Sequence, residues 1–176
     1  AIAFALQNVL EDVFASFSIH YDKPFVKGDL IVIGQDTGTV EKIGIKSTRV
    51  RTMQGQELVV SNRELTTVRV NNFKKMERRR IIFNLGVTYD TPVKKLEKIP
   101  DIMKKIITKV KLSDFERCHF KSYGDFSLNY EIAYFVKSKE YLDYINTQQE
   151  INLAIKKAFE KEKIEFAFPT QTIYVA

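Results

Sequence analysis

The sequence predicts an α+β protein: an N-terminal helix, a small all-β body, a unit of alternating strands and helices, and a last lone strand. Three observations predict it. The opening residues recur at helical spacing, without Gly or Pro, up to Pro24. Short β-rich runs separated by turn residues fill residues 25–73, and from Ile81 onward strand patterns alternate with two long helical ones. The 176 residues, 44% apolar and 28% charged, suffice for one ordinary core or two small ones and exclude disordered and collagen-like classes.

Ala1–Ile19 places Ile2, Leu6, Val9, Leu10, Val13 and Phe17 on one apolar stripe. Gln7, Asn8, Glu11 and Asp12 interrupt the run, so it falls short of the roughly 18 uninterrupted apolar residues of an independent membrane span. The sequence opens in mid-helix with no capping residue ahead, and we expect this helix to be the end of a longer chain. The alternative is an amphipathic helix packed on the domain's own core. No secretory signal pattern is present.

After Pro24, strands are expected at Leu30–Ile33, Thr39–Ile45, Ser47–Thr52, Gln56–Val60 and Thr67–Asn71. Gly34-Gln35-Asp36-Thr37-Gly38 reads as a turn, Met53-Gln54-Gly55 as a tight hairpin connection, and Ser61-Asn62-Arg63-Glu64 as a polar corner. Five such strands make a strongly bent sheet or open barrel with limited interior, which gains by packing against copies of itself. The charge run Lys74–Arg80 is the next boundary. Ile81–Thr88 is then a strand, and Val93–Lys109 a helix opened by Thr91-Pro92, with Pro100 placed to divide it. Strands at Glu116–Ser122 and Ser127–Lys137, a helix at Tyr141–Lys161 and a short strand at Lys163–Phe168 complete a β-α-β-β-α-β order, which resembles a ferredoxin-like unit. Thr170–Val175, beyond Pro169, is a lone strand whose backbone groups need another sheet, and a second subunit would supply one. The expected boundaries are therefore 1–24, 25–73, 74–168 and 169–176.

The chemistry-bearing residues point away from catalysis. One cysteine, Cys118, excludes an internal disulfide framework and a cysteine-cluster zinc site, and two distant histidines, His20 and His119, make a histidine metal site improbable. Glycine-rich phosphate loops, nucleophile elbows and paired metal-ligand motifs are missing, so neither an enzyme nor a cofactor is expected. The formal charge is +6; residues 1–73 hold 8 basic and 8 acidic side chains, leaving 20 basic against 14 acidic in residues 74–176. That surplus is a lysine-rich solvated surface or an attraction for anions. Lys121-Ser122-Tyr123-Gly124-Asp125-Phe126 faintly echoes the basic–Gly–aromatic signature of RNA-recognition motifs, with Asp125 adding a repelling charge.

Four motifs in order resemble the mechanosensitive channel of small conductance family, from the end of its pore helix to the C-terminus. They are Ala5-Leu6-Gln7 with Leu10; Pro24-Phe25-Val26-Lys27-Gly28-Asp29; Gly38-Thr39-Val40-Glu41-Lys42-Ile43 with Thr48 and Arg51-Thr52-Met53-Gln54-Gly55; and Phe166-Ala167-Phe168-Pro169. The resemblance implies the end of a pore-lining transmembrane helix, an Sm-like five-stranded β domain, a ferredoxin-like α/β domain, and a C-terminal strand in an intersubunit β-barrel. It implies a homoheptamer in the inner membrane, opened by tension to release osmotic pressure, weakly selective for ions, with most of this chain in a cytoplasmic vestibule. The implied partners are membrane lipid, through helices outside this sequence, and permeating ions and small solutes. No nucleic acid is expected. Phe4 falls on an apolar pore-constriction position, and Gln7, Asn8, Glu11 and Asp12 on the kink or lining of the pore helix. Asn8 replaces the family's kinking Gly, Asp12 its polar Asn, and Val60-Ser61-Asn62 its Ile-Pro-Asn. Glu11 and Asp12 either approach a helix-bundle axis or face solvent. The alternative function is a soluble, ring-forming RNA-binding protein with Sm-like and ferredoxin-like domains.

Overall fold

The computed structural model describes residues 2–171, and for residues 2–6, 8 and 9 the backbone alone. The chain divides into two compact units at Met76/Glu77.

The first unit opens with α1 (Ile2–Asp22), a single helix through Asn8. It then forms β1 (Leu30–Ile33), β2 (Asp36–Ile43), β3 (Ser47–Thr52), β4 (Glu57–Ser61), α2 (Asn62–Thr67) and β5 (Val70–Asn72), followed by a 3-10 turn at Phe73–Lys75. The strands make one antiparallel sheet in the order β4-β3-β2-β1-β5. A bulge between Val40 and Lys42 bends it. Ile31, Ile33, Val40, Val50 and Val60 alternate inward and meet Ile19 of α1, Phe25 and Leu65 in one core. The sheet needs Gly38: a Cβ there would lie 2.4 Å from the Arg51 carbonyl on β3.

Two expectations in this unit are corrected. The turn is only Gly34-Gln35, with Gly34 at φ +59; Asp36–Gly38 already pair with β1. The polar corner is a helix, because Ser61 Oγ accepts from the Glu64 N–H at 3.2 Å and starts α2.

The second unit comprises β6 (Arg79–Val87), α3 (Val93–Leu96), α4 (Ile99–Lys109), β7 (Ser113–Tyr123), β8 (Leu128–Val136) and α5 (Tyr141–Glu162). Pro100 divides the first helical stretch and sits in the first turn of α4, where its missing N–H costs no helical bond. The sheet order is β6-β8-β7. Leu128, Tyr130, Ile132, Tyr134 and Val136 alternate onto the core shared with Met103 and Ile107 of α4 and Ile151, Ile155 and Phe159 of α5. The strand expected at Lys163–Phe168 is reduced to one bridge, Phe166 against Val87. With it the order is that of a ferredoxin-like unit, its fourth strand cut short. Of the expected last strand, Thr170 and Gln171 have no regular structure, and residues 172–176 lie outside the described residues. Among the described residues, no helix is long and apolar enough to cross a membrane.

Candidate functional site

The candidate site is the end of α1 and its seat on the β body. Phe4 and Asn8 lie in the helix, and their side chains lie outside the described residues. Gln7 is exposed, and its Nε2 donates to Glu11 Oε1 at 2.9 Å. Glu11 Oε2 pairs with Arg63 Nε at 2.8 Å. Asp12 is 5% exposed, and its Oδ1 accepts from the Arg63 N–H at 3.0 Å. Asp12 therefore satisfies a free N–H in the first turn of α2, where a carboxylate also meets the positive end of the helix dipole. It does not face solvent.

The expected stripe is not the face by which α1 packs. Asp12, Ala15 and Ile19 are buried, and Ser16 Oγ donates to the Gly44 carbonyl at 3.2 Å. Leu10, Phe14, Phe17 and Tyr21 stay exposed, Phe14 at 69%. Of the polar residues that interrupt the apolar run, Asp12 and Glu11 reach the seat, through the Arg63 N–H and guanidinium, and the opposing surface offers backbone donors and acceptors as well as carbon.

Two further clusters stiffen that seat. Asn62 is fully buried: its Oδ1 accepts from Thr48 Oγ1 at 2.9 Å, and its Nδ2 donates to the Gly44 and Ile45 carbonyls at 2.8 and 3.1 Å. This holds the β2–β3 turn against α2. At the exit of α1, Lys23 takes positive φ, and its carbonyl accepts from Lys75 Nζ at 2.8 Å. Asn72 Nδ2 donates to the Pro24 carbonyl at 3.0 Å and to Asp29 Oδ2 at 2.7 Å. Asp29 also accepts from the Val26 N–H at 3.0 Å and pairs with Lys74 at 3.5 Å. Burial opposes the charge on Asp29, yet the bonds from Asn72, Val26 and Lys74 together hold its carboxyl below the usual carboxylate range. Gly28, at φ +86, closes this turn on Val40.

The motif residues Phe25, Gly28, Asp29, Gly38, Thr48 and Asn62 are thus packing and turn residues of the first unit. The sequence reading missed the parts played by Arg63 and Ser16. Serine followed three residues later by glutamate, at Ser61 and Glu64, was the signal for α2 and hence for Arg63; nothing in the sequence marked Ser16.

No nucleophile–base pair forms between Cys118 and His119. The thiol is buried and pushed up to about 12 by that burial, while the imidazole is exposed on the other face of β7. In the RNA-like segment, the Tyr123 ring stacks on Tyr89 at 6.5 Å and meets Phe120 edge-on at 5.0 Å, so part of its surface is already taken up within the protein.

Two family models match the chain: "Mechanosensitive ion channel, beta-domain" over residues 8–75 and "Mechanosensitive ion channel MscS, C-terminal" over residues 81–166. The small-conductance mechanosensitive channel MscMJ of Methanocaldococcus jannaschii is 41% identical over 177 residues, covering 99% of this chain and 50% of that protein. The large-conductance channel MscMJLR of the same organism is 38% identical, with 99% and 50% covered. The chain therefore spans about half the length of these relatives. Among solved structures, the closed-state crystal structure of Helicobacter pylori MscS aligns with a TM-score of 0.84 at 26% identity, covering 100% of this chain and 69% of that one. Arabidopsis thaliana MSL1 shares the fold with a TM-score of 0.87 at 20% identity, covering 96% and 62%. These matches give no support to the RNA-binding alternative.

Proposed function

The chain belongs to the mechanosensitive ion channel (MscS) family, and from that premise we propose that it is the pore-helix end and cytoplasmic vestibule of a membrane channel opened by tension. The observation that carries this reading is the two-sided character of α1. One face is sealed on the β body through Asp12, Ala15, Ser16 and Ile19, while Leu10, Phe14, Phe17 and Tyr21 are left outward. A helix with unspent apolar surface is what a bundle of like helices around an axis, or a lipid boundary, would bury.

In the proposed assembly, identical subunits surround the axis, seven by the family pattern, and helices outside this sequence embed the assembly in the inner membrane. Most of the present chain lies on the cytoplasmic side. Phe4 of each subunit contributes to an apolar ring that stops ions by dewetting. Gln7 and Glu11 line the helix below it, and Asn8 marks the position of a bend. Asp12 anchors the helix to the β body. Tension favours whichever state occupies more bilayer area, and tilting of α1 widens the ring so that ions and small solutes pass with weak selectivity. The tail beyond Pro169 adds a strand to a barrel shared between subunits, which removes its free edges.

Phe4→Ser in the full-length protein tests this reading. A polar ring wets more readily, so patch recordings should show opening at lower tension. An unchanged threshold removes Phe4 from the gate.

A further inference from the structure

We propose that the open edge of β6 is a docking site for an extended peptide that carries an apolar side chain and an acidic C-terminal end. The inference goes beyond channel activity and rests on the second unit alone.

β6 is an edge strand, bonded on one side to β8 in the unbroken register Arg79↔Val136 to Val87↔Leu128. On its other side, among the described residues, it meets the stretch Glu165–Ala167. The Thr88 N–H donates to the Glu165 carbonyl at 3.2 Å, and the Ala167 N–H donates to the Gly86 carbonyl at 2.9 Å. In an antiparallel ladder the N–H and C=O of one residue point to the same side, and the side alternates along the strand. Gly86 and Thr88 point away from β8, so Asn84, Ile82 and Arg80 do as well. The register Val87↔Phe166 places Pro169 opposite Asn84. Proline has no N–H for the Asn84 carbonyl, so the chain's own strand stops there. Among the described residues nothing pairs with β6 from Arg80 to Asn84 on that side.

A cleft of about 310 Å³ opens beside the same edge, lined by Phe83, Leu85, Asn152, Ile155 and Phe166. A strand added antiparallel to β6 would set the side chain opposite Phe83 over this cleft, with main-chain bonds giving affinity and the cleft giving selection. The mostly carbon lining takes an aliphatic or aromatic side chain; Asn84 and Asn152 offer amides at the rim. Such a strand ends its course beside Arg78, which lies over the Phe135 ring at 4.0 Å, Arg79, over the Tyr144 ring at 5.5 Å, and Arg80, bound to Glu116 at 2.6 Å; with Glu77 before them the three cations leave a net positive charge. That potential favours a carboxylate at the peptide's C-terminal end. The same arginines blunt the edge against unselected strands.

The test is an NMR titration of the 176-residue chain with a seven-residue peptide that alternates Thr with Val and Leu and ends in Glu-Asp. Saturable shifts are expected at the amides of Arg80, Ile82 and Asn84 and at Phe83, Asn152 and Phe166, with exchange of the Ile82 and Asn84 amides slowed about tenfold or more. A peptide N-methylated at the positions facing the edge should bind about tenfold more weakly, as should one with Lys-Lys in place of Glu-Asp. Both changes lie in the peptide, so the fold of the protein is not at stake. No saturable binding at about 1 mM peptide, binding indifferent to N-methylation, or shifts centred elsewhere would overturn the proposal.

Discussion

Asp12 is the residue whose chemistry most changes the picture of this chain. In the sequence it is one of four polar interruptions in an apolar helix; in the fold its carboxylate receives the Arg63 N–H, fifty-one positions away. Polar side chains do comparable work in the second unit. Glu131 on β8 is bound by Lys121 and Arg117. Those hydrogen bonds, Lys121 first, lower its carboxyl to about 2 from an ordinary 4.5, against the opposing effect of burial. A carboxyl with a lower pKa folded than unfolded adds stability that is complete above the unfolded value and lost as pH falls through the folded one. The unfolding midpoint of the wild-type chain should therefore decline as pH falls from about 5 through about 2, and Glu131→Gln should flatten part of that decline. An identical pH profile for the two proteins would remove Glu131 from the acid response. Such contacts are illegible in sequence because they join residues distant along the chain. Asn62 is a partial exception: its place in a motif marked it as important, but not that it bonds Thr48 and two turn carbonyls.

Elements were legible where the local signal and the tertiary demand agreed. The alternation of β8 from Leu128 to Val136, the division of the helix at Pro100 and the extent of α5 all follow from periodicity and proline chemistry. Where they disagreed, tertiary contacts won. The apolar stripe of α1 through Leu10, Val13 and Phe17 suits the end of a longer helix, with packing on the domain's own core as the alternative; the helix seats instead by Asp12, Ala15, Ser16 and Ile19, and Leu10 and Phe17 stay exposed. The strand at Lys163–Phe168 was expected from its composition, and Pro169 stops it after one bridge. The account of α1 carries its own prediction. Asp12→Ala leaves an N–H of α2 without its carboxylate and should cost about 1 kcal/mol, the usual size of a lost cap. Hydrogen exchange should then speed up in α1 beyond residue 12 and in α2, with β6–β8 unchanged. Uniform acceleration across both units would mean a global loss of stability and would contradict a local clamp.

At the scale of the whole molecule, two compact units divide the labour and the charge. The first holds 10 basic against 8 acidic residues and the second 18 against 14, so the larger part of the basic surplus belongs to the second. The first unit holds the end of α1 in place through α2 and the β2–β3 turn; the second builds a separate core on its three-stranded sheet. A chain spanning about half of its relatives is proposed here to do one part of the channel's work, shaping the inner mouth of the pore and the chamber beneath it. The most direct measurement is single-channel recording of the full-length protein with Phe4→Cys, before and after a cationic methanethiosulfonate reagent is applied from the cytoplasmic side. Cys118, buried and with its thiol raised to about 12, should stay unreacted, and the wild-type channel treated in the same way is the reference for the Phe4→Cys channel. If α1 ends in the conducting pathway, the reagent should cut the current through the Phe4→Cys channel. An undiminished current after complete modification of that thiol would contradict the account.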